Sequence, residues 1–276
     1  GKLTSEQLLA ELDLCDEIGN ATLRITSRQG LQLHGILKGN LKQAIARINE
    51  VQLTTLAACG DVERNVMCSP CPYKGDPVYD QMQEMTQRLA VHLRPKTPAY
   101  HETWLTDRTN GEKRLVGGGA PAEEVEPLYG PTYLPRKFKT AIALPGDNCA
   151  DLYSQDLGFL AIPESWSITG YNVLVGGGFG TTPSAKKTFP AIASPIAFVT
   201  PEQVLDVAVA VIKVQRDFGN RSDRKVARLK YLIHDWGLER CRQKVEEYYG
   251  QQLQPPRRVT IEELNDGMGW HAQGDG

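Results

Sequence analysis

Four stretches of this 276-residue chain carry side chains able to do chemistry. The first is Leu23-Arg24-Ile25-Thr26-Ser27-Arg28-Gln29-Gly30-Leu31-Gln32-Leu33-His34. Read as extended chain, its side chains alternate between two faces. One face collects Leu23, Ile25, Ser27, Gln29, Leu31 and Leu33. The other collects Arg24, Thr26, Arg28, Gly30, Gln32 and His34, and no acid lies between Glu17 and Glu50. Arg offers carboxylates a rigid fork of donors, so this face suits an anionic ligand. A solvated face of an antiparallel sheet would look similar.

The second stretch is Leu134-Pro135-Arg136-Lys137-Phe138-Lys139, leading into the apolar run Thr140–Leu144. Lys137 and Lys139 share a face and Phe138 points the other way. Cations at the mouth of a buried strand cost desolvation energy unless anions meet them; an exposed edge guarded by lysines is the plainer reading. The third stretch is Asp61-Val62-Glu63-Arg64-Asn65-Val66, followed by Cys68-Ser69-Pro70-Cys71. A single C-x-x-C with no second pair at zinc-like spacing does not make a closed metal site. The fourth is Gly176-Gly177-Gly178-Phe179-Gly180 at the end of an apolar strand. Such glycines let backbone approach a ligand and aim N–H groups at an anion, or simply make a tight turn. The string is neither a dinucleotide fingerprint nor a P-loop. No general base, nucleophile pair or complete metal-ligand set accompanies these stretches. Together they describe a pocket for a large polyanion better than a hydrolase site.

The elements that must position them follow from periodicity and punctuation. Thr4 and Gln7 have capping-box spacing, and a helix is expected over 4–18 with Leu8, Leu9, Leu12, Cys15 and Ile18 as its stripe. Residues 21–34 read as extended. Asn40 is expected to cap a helix over 41–51 that buries Leu41, Ala44, Ile45, Ile48 and Val51. A helix over 78–93 carries Val78, Met82, Met85, Leu89 and His92 on one side. Residues 106–131, with Gly117-Gly118-Gly119, Glu123, Glu124 and Glu126, read as a long surface loop. Strands are expected at 137–144, 157–162 and 171–175. Helices follow at 200–216 (Thr200 capping, Pro201 opening), 223–236 and 238–249. Gln251 to Arg258, with Pro255-Pro256, reads as a linker.

Composition bounds the class. Hydrophobic residues make 41% and charged residues 23%, ordinary for a globular protein. The 31 basic and 33 acidic residues nearly cancel, against a whole-surface nucleic-acid binder. No apolar run reaches the length of a membrane span. Six scattered cysteines fit a reducing cytoplasm better than a disulfide framework. Gly1 in place of Met, and the ending at Gly276, read as cuts in a longer chain.

Taken in order, Thr26-Ser27-Arg28-Gln29-Gly30-Leu31-Gln32-Leu33-His34-Gly35, Arg64-Asn65-Val66-Met67-Cys68, Leu134-Pro135-Arg136-Lys137-Phe138-Lys139, Asn172-Val173-Leu174-Val175-Gly176-Gly177-Gly178 and Gln215-Arg216-Asp217-Phe218-Gly219-Asn220-Arg221-Ser222-Asp223-Arg224-Lys225 resemble the assimilatory sulfite reductases, within the siroheme/[4Fe–4S] nitrite and sulfite reductase family. The match runs over essentially the whole chain. The closing Gly269-Trp270-His271-Ala272-Gln273-Gly274-Asp275-Gly276 is more similar to the ferredoxin-dependent type than to the NADPH-linked hemoprotein.

The resemblance implies an α+β fold: a mixed-sheet siroheme domain with flanking helices, preceded by part of a ferredoxin-like α+β half-domain. It places the half-domain at 1–55, the siroheme domain at 56–258, and a linker with the start of a second half-domain at 259–276. It implies reduction of sulfite to hydrogen sulfide by six electrons, with ferredoxin as donor, siroheme and a [4Fe–4S] cluster as cofactors, and a cytoplasmic, monomeric full-length enzyme without membrane or nucleic-acid partners. Arg64, Lys137 and Lys139 are implied catalytic residues around sulfite. Arg24, Thr26, Arg28, His34, Asn65, Arg136 and Gly176, Gly177 and Gly178 are implied siroheme contacts. The family's cluster-binding cysteines match none of the six here, so cluster ligands are expected outside this chain, and the chain alone is expected to be inactive. Lys139 favours sulfite over nitrite, because the sister nitrite reductases usually carry Asn there. A nitrite reductase and a non-catalytic siroheme-binding fragment are the alternatives.

Overall fold

The structure, a computed structural model, describes residues 3–70, 75–97, 103–107, 109–117, 125–261 and 269–270. The chain divides into two compact units: Gly1–Cys59 with Pro95–Pro131, and Gly60–Arg94 with Thr132–Gly276.

In the first unit, helix α1 (Ser5–Ile18) starts at the expected capping box. The Gln7 N–H donates to Thr4 Oγ1 at 3.2 Å and the Thr4 N–H to Gln7 Oε1 at 3.0 Å. Its buried residues are Glu11, Leu14 and Cys15, while Leu8, Leu9 and Leu12 are exposed. The buried face is chosen by packing against helix α2 (Leu41–Glu50), not by leucine content. Gln7 Nε2 donates to Val51 O at 2.9 Å, and Arg47 pairs with Glu17 at 2.7 Å. In α2 only Ala44 of the expected stripe is fully buried, and Asn40 caps without a side-chain bond, after a 3-10 turn at Lys38–Asn40.

The expected extended stretch 21–34 is instead a hairpin. Strands β1 (Leu23–Ile25) and β2 (Leu31–Leu33) pair antiparallel, with Arg24 opposite Gln32. The turn closes because Gln29 takes a positive φ of 57°, Gln29 N–H donates to Thr26 O, and Gly30 N–H donates to Thr26 Oγ1 at 3.1 Å. A second hairpin, β3 (Thr103–Thr106) with β4 (Lys113–Gly117), occupies part of the expected long loop. Asp107 organises its turn by accepting from Thr109 N–H and Oγ1 at 2.8 and 2.6 Å. Glu126 is no surface acid. It is buried and accepts the N–H groups of Lys96 and Thr97 at 2.9 and 3.0 Å. Gly118, Gly119, Glu123 and Glu124 lie outside the described residues.

The second unit is built on a four-stranded mixed sheet, in the order β5 (Thr140–Ala143), β6 (Leu157–Glu164), β7 (Ser167–Val175), β8 (Ser194–Val199). The β5–β6 pair is parallel and the other two are antiparallel. One face carries Ala141, Ala143, Leu160 and Leu174, packed with Met67, Ala150, Leu152 and Ala193. The opposite face carries Ile142, Phe159, Tyr171, Val173 and Ala197, all buried. Strand β8 is not among the expected strands, because Pro195 interrupts its short run.

Helix α3 (Pro77–Leu93) packs on β5 and β7. Asp76 Oδ1 caps it by accepting from Val78 and Tyr79, and Val78, Met82, Met85 and Leu89 are buried as expected. Thr200 and Gln203 form a capping box ahead of α4 (Val204–Phe218). The expected helix over 223–236 is shorter: a 3-10 turn at Arg224–Val226 and then α5 (Leu229–Trp236). Helix α6 (Leu238–Tyr249) ends at Gly250, whose φ of +85° favours glycine. The expected linker at 251–258 is docked on the sheet. Phe198 N–H donates to Gln254 O at 2.9 Å, and the Asn172 side chain bonds both backbone polar groups of Arg257.

Candidate functional site

The cationic stretch and the Arg64 stretch are neighbours in the second unit. Residues 62–67 run parallel to 138–141 at the free edge of β5, with bridges Glu63 to Phe138 and Met67 to Ala141. Arg64 N–H donates to Phe138 O at 3.0 Å and Met67 N–H to Thr140 O at 3.1 Å. Between those bridges one strand advances four residues and its partner three, so one extra residue is accommodated over Arg64-Asn65-Val66. Bulges of this kind re-aim side chains next to functional sites. Glu63 is buried, with Thr140 Oγ1 donating to its Oε2 at 2.9 Å.

Register places Lys139, Asp156 and Gly176 in one row across the sheet. Leu157 N–H donates to Lys139 O at 3.1 Å, and Gly176 N–H to Asp156 O at 2.9 Å. Lys137 and Lys139 are half-buried on the same side of their strand. Burial holds the Lys137 ammonium below its ordinary value, Arg64, Arg136 and Arg228 push it the same way, and Asp156 opposes them. Lys137 therefore sits in an excess of positive charge.

Three residues that sequence reasoning did not single out complete this site. The side chain of Asp156 is fully buried and meets Arg228 in a two-point pair, Nε to Oδ1 at 3.1 Å and Nη2 to Oδ2 at 2.8 Å. Arg228 Nη2 also donates to Gly177 O at 3.1 Å. Lys230 is buried, and its ammonium donates to the carbonyls of Gly178, Gly180 and Phe189. Periodicity holds no trace of the Asp156–Arg228 pair, whose partners lie 72 residues apart.

The stretch around Arg228 ties the segments together. Arg221 donates to the carbonyls of Thr132 and Tyr133 just ahead of Leu134, and Arg224 pairs with Asp61 at 2.7 Å just ahead of Arg64.

The glycine run corrects one expectation. The N–H groups of Gly176, Gly177 and Gly178 already donate to Asp156 O, Gln155 O and Ala191 O, so they are not aimed at an anion. Close packing is what demands glycine here. A Cβ on Gly177 would stand 2.3 Å from Tyr153 O, and one on Gly178 would stand 2.4 Å from Arg228 Nη1.

In the first unit, the single polar face expected for Arg24, Thr26, Arg28 and His34 is broken by the hairpin turn. Arg24 is on β1 and exposed, Thr26 Oγ1 is used inside the turn, and Arg28 lies within the turn, half-buried. His34 Nδ1 lies 3.3 Å from Thr22 Oγ1. Cys68 is buried, which pushes its thiol up. Cys71 lies outside the described residues. Among the described residues no group of three or more His, Cys, Asp or Glu side chains is placed to hold a metal ion.

Two family profiles match this chain: the nitrite and sulphite reductase 4Fe-4S domain over residues 84–253, and the nitrite/sulfite reductase ferredoxin-like half domain over residues 1–51. The chain belongs to the nitrite and sulphite reductase family. A sulfite reductase [NADPH] hemoprotein beta-component of Paenibacillus sp. (strain JDR-2) is 50% identical over 277 residues, covering 100% of this chain and 47% of that protein. A sulfite reductase [ferredoxin] of Synechococcus elongatus is 44% identical, covering 98% of this chain and 45% of that protein. Among solved structures, the NirA protein of Mycobacterium tuberculosis superposes with a TM-score of 0.66 at 27% identity, over 94% of this chain and 41% of that one. The chain thus spans about half the length of the curated relatives it matches. The α+β fold with a mixed sheet and an N-terminal ferredoxin-like half domain is that of this reductase family. No helix among the described residues is long and apolar enough to cross a membrane.

Proposed function

We propose that this chain is the siroheme- and sulfite-contacting part of a sulfite reductase that makes hydrogen sulfide. The observation that carries the reading is the cationic site of the second unit. Arg64, Arg136 and Lys137 gather at a sheet edge where the nearby acid, Asp156, is already engaged by Arg228. Cations gathered in a partly buried place suit anionic ligands, and a tetrapyrrole polycarboxylate and the sulfite dianion are both of that kind. When bound, siroheme would relay to sulfite the electrons that the external donor supplies.

Arg136 and Asn65 are the proposed siroheme contacts of the second unit; Arg24, Thr26, Arg28 and His34 keep that role on the resemblance alone. Gly176, Gly177 and Gly178 serve by close approach of the backbone. Arg64, Lys137 and Lys139 hold sulfite by charge, and the lysines deliver protons as S–O bonds break. An ammonium shifted toward neutral pH is the better general acid. The described residues do not fit a [4Fe–4S] cluster, which needs convergent thiolates, so we assign its ligands to other sequence of the complete reductase. We read 1–55 as half-domain, 56–258 as siroheme domain and 259–276 as the link to a second half, in a cytoplasmic enzyme.

The donor divides the relatives: the Paenibacillus protein is named for NADPH and the Synechococcus protein for ferredoxin. The segment 269–276 favours ferredoxin. The test is turnover by the complete reductase containing this chain, with sulfite or nitrite, and with reduced ferredoxin or an NADPH-linked flavoprotein as donor. Sulfite turnover, and its loss by about 100-fold or more in Lys137→Gln, is expected if the lysine stabilises developing charge. Efficient nitrite turnover with little sulfite reduction would reject the substrate. Turnover with NADPH and none with ferredoxin would reassign the donor.

A further inference from the structure

We propose that Asp156 is a positioning residue of the cationic site: its carboxylate holds Arg228 against the Gly177–Gly178 turn and fixes the array of charges in which Lys137 delivers its proton. The inference rests on the proposed role of Lys137.

Asp156 stands at a crossing of three segments. Its neighbours in register are Lys139 on one side and Gly176 on the other, through Leu157 N–H to Lys139 O and Gly176 N–H to Asp156 O. Both of its carboxylate oxygens bind Arg228. The Arg228 side chain is only 12% exposed and is also anchored to Gly177 O, leaving it no room to swing away. Gly178 has no side chain because the guanidinium occupies that space. Lys230 closes the turn from the other side with three carbonyl contacts. A buried ion pair is a poor source of net stability, since desolvation cancels much of the attraction. Its value lies in holding a permanent cation at a fixed place.

The charged groups acting on Lys137 are Arg64 from the 62–67 segment, Arg136 beside it in the chain, Arg228 ahead of α5, and Asp156 just ahead of β6. Lys139 is on the same side of the same strand. The arginines stay charged across the working range. Asp156 is thus the one carboxylate among them that favours the protonated lysine. Removing its charge should make Lys137 release its proton more readily. Removing Arg228 should do the opposite, because a cation is lost and Asp156 is left uncompensated.

The test reads Lys137 directly in the 276-residue chain. Amines are labelled with limiting acetic anhydride at pH 8, peptides are quantified by mass spectrometry, and exposed Lys42 serves as the internal reference. D156N is expected to raise the Lys137 labelling rate about threefold or more, and R228Q to lower it by a similar factor. Shifts in the same direction in both variants would indicate loosening of the fold and overturn the proposal, as would no shift in either. Should D156N not fold, R228K and R228Q decide between them. R228K keeps a cation and should stay near the wild-type rate while R228Q falls, and equal rates in the two would overturn the proposal. No turnover enters this readout, so a failure of the sulfite assignment is distinguishable from a failure of the Asp156 assignment.

Discussion

At the scale of single residues, glycine and arginine explain each other. Gly178 is glycine because Arg228 lies where its Cβ would be, and Arg228 lies there because Asp156 and Gly177 O hold it. Gly178→Ala must push the guanidinium off a fully buried carboxylate. It should destabilise the chain by roughly 1–3 kcal/mol, the usual cost of overpacking. Gly180→Ala meets open space and should be close to silent. Thermal unfolding of the two variants side by side checks this, and equal midpoints would show that Arg228 can move aside freely. The cationic residues themselves were legible as motifs, because Arg and Lys at a strand entry stand out from ordinary composition. Their carboxylate partner was not, because an Asp before a strand resembles any other strand-opening residue.

At the scale of elements, local signals survived where the chemistry was local. Both capping boxes, the start of α3 at Pro77 and the ends of α5 and α6 at Gly237 and Gly250 follow from neighbouring residues alone. What failed were faces and pairings. The stretch 21–34 closes into a hairpin because Gln29 accepts a left-handed backbone, a cost no alternation pattern records. The stretch 251–258 reads as a linker by its prolines but is held by Asn172, whose side chain bonds the N–H and the C=O of Arg257. Arg257 also lies over the Phe198 ring at 3.7 Å. Asn172→Ala removes both part-buried hydrogen bonds to the Arg257 backbone, a loss of about 1–3 kcal/mol for the two together. The Phe198 amide, which donates to Gln254 O, should then exchange its hydrogen faster than in the parent chain. Unchanged protection there would show that the strap holds without Asn172.

At the scale of the whole molecule, acid–base linkage gives a signature of the packed state. Burial pushes the Cys241 thiol up to about 12 from an ordinary value of 9.0, and Tyr171 up to about 12 from 10.0. A raised value in the folded state means that the folded form holds its proton longer than the unfolded chain does. This contribution to stability is therefore complete below the unfolded values and is lost as pH rises toward the folded ones. Unfolding temperatures should fall through the window from about pH 9 to about 12. Cys241→Ala should start from a lower stability but decline less steeply across that window. Parallel curves for the two proteins would refute the assignment to Cys241. The same scale separates motif from site. Arg64 and the stretch around Phe138 lie far apart in sequence and come together only through the parallel pairing of 62–67 with 138–141. The ordered motifs of the sequence carried the resemblance to the family, and the sequence by itself determined several helix ends and the cationic character of the site, since these last depend on residue type, local hydrogen bonding and short-range period. Only the tertiary structure decided which faces are buried, which stretch closes into a hairpin and which carboxylate balances the arginines. Those outcomes depend on contacts between residues tens of positions apart, where burial, steric fit and charge pairing act on the assembled chain.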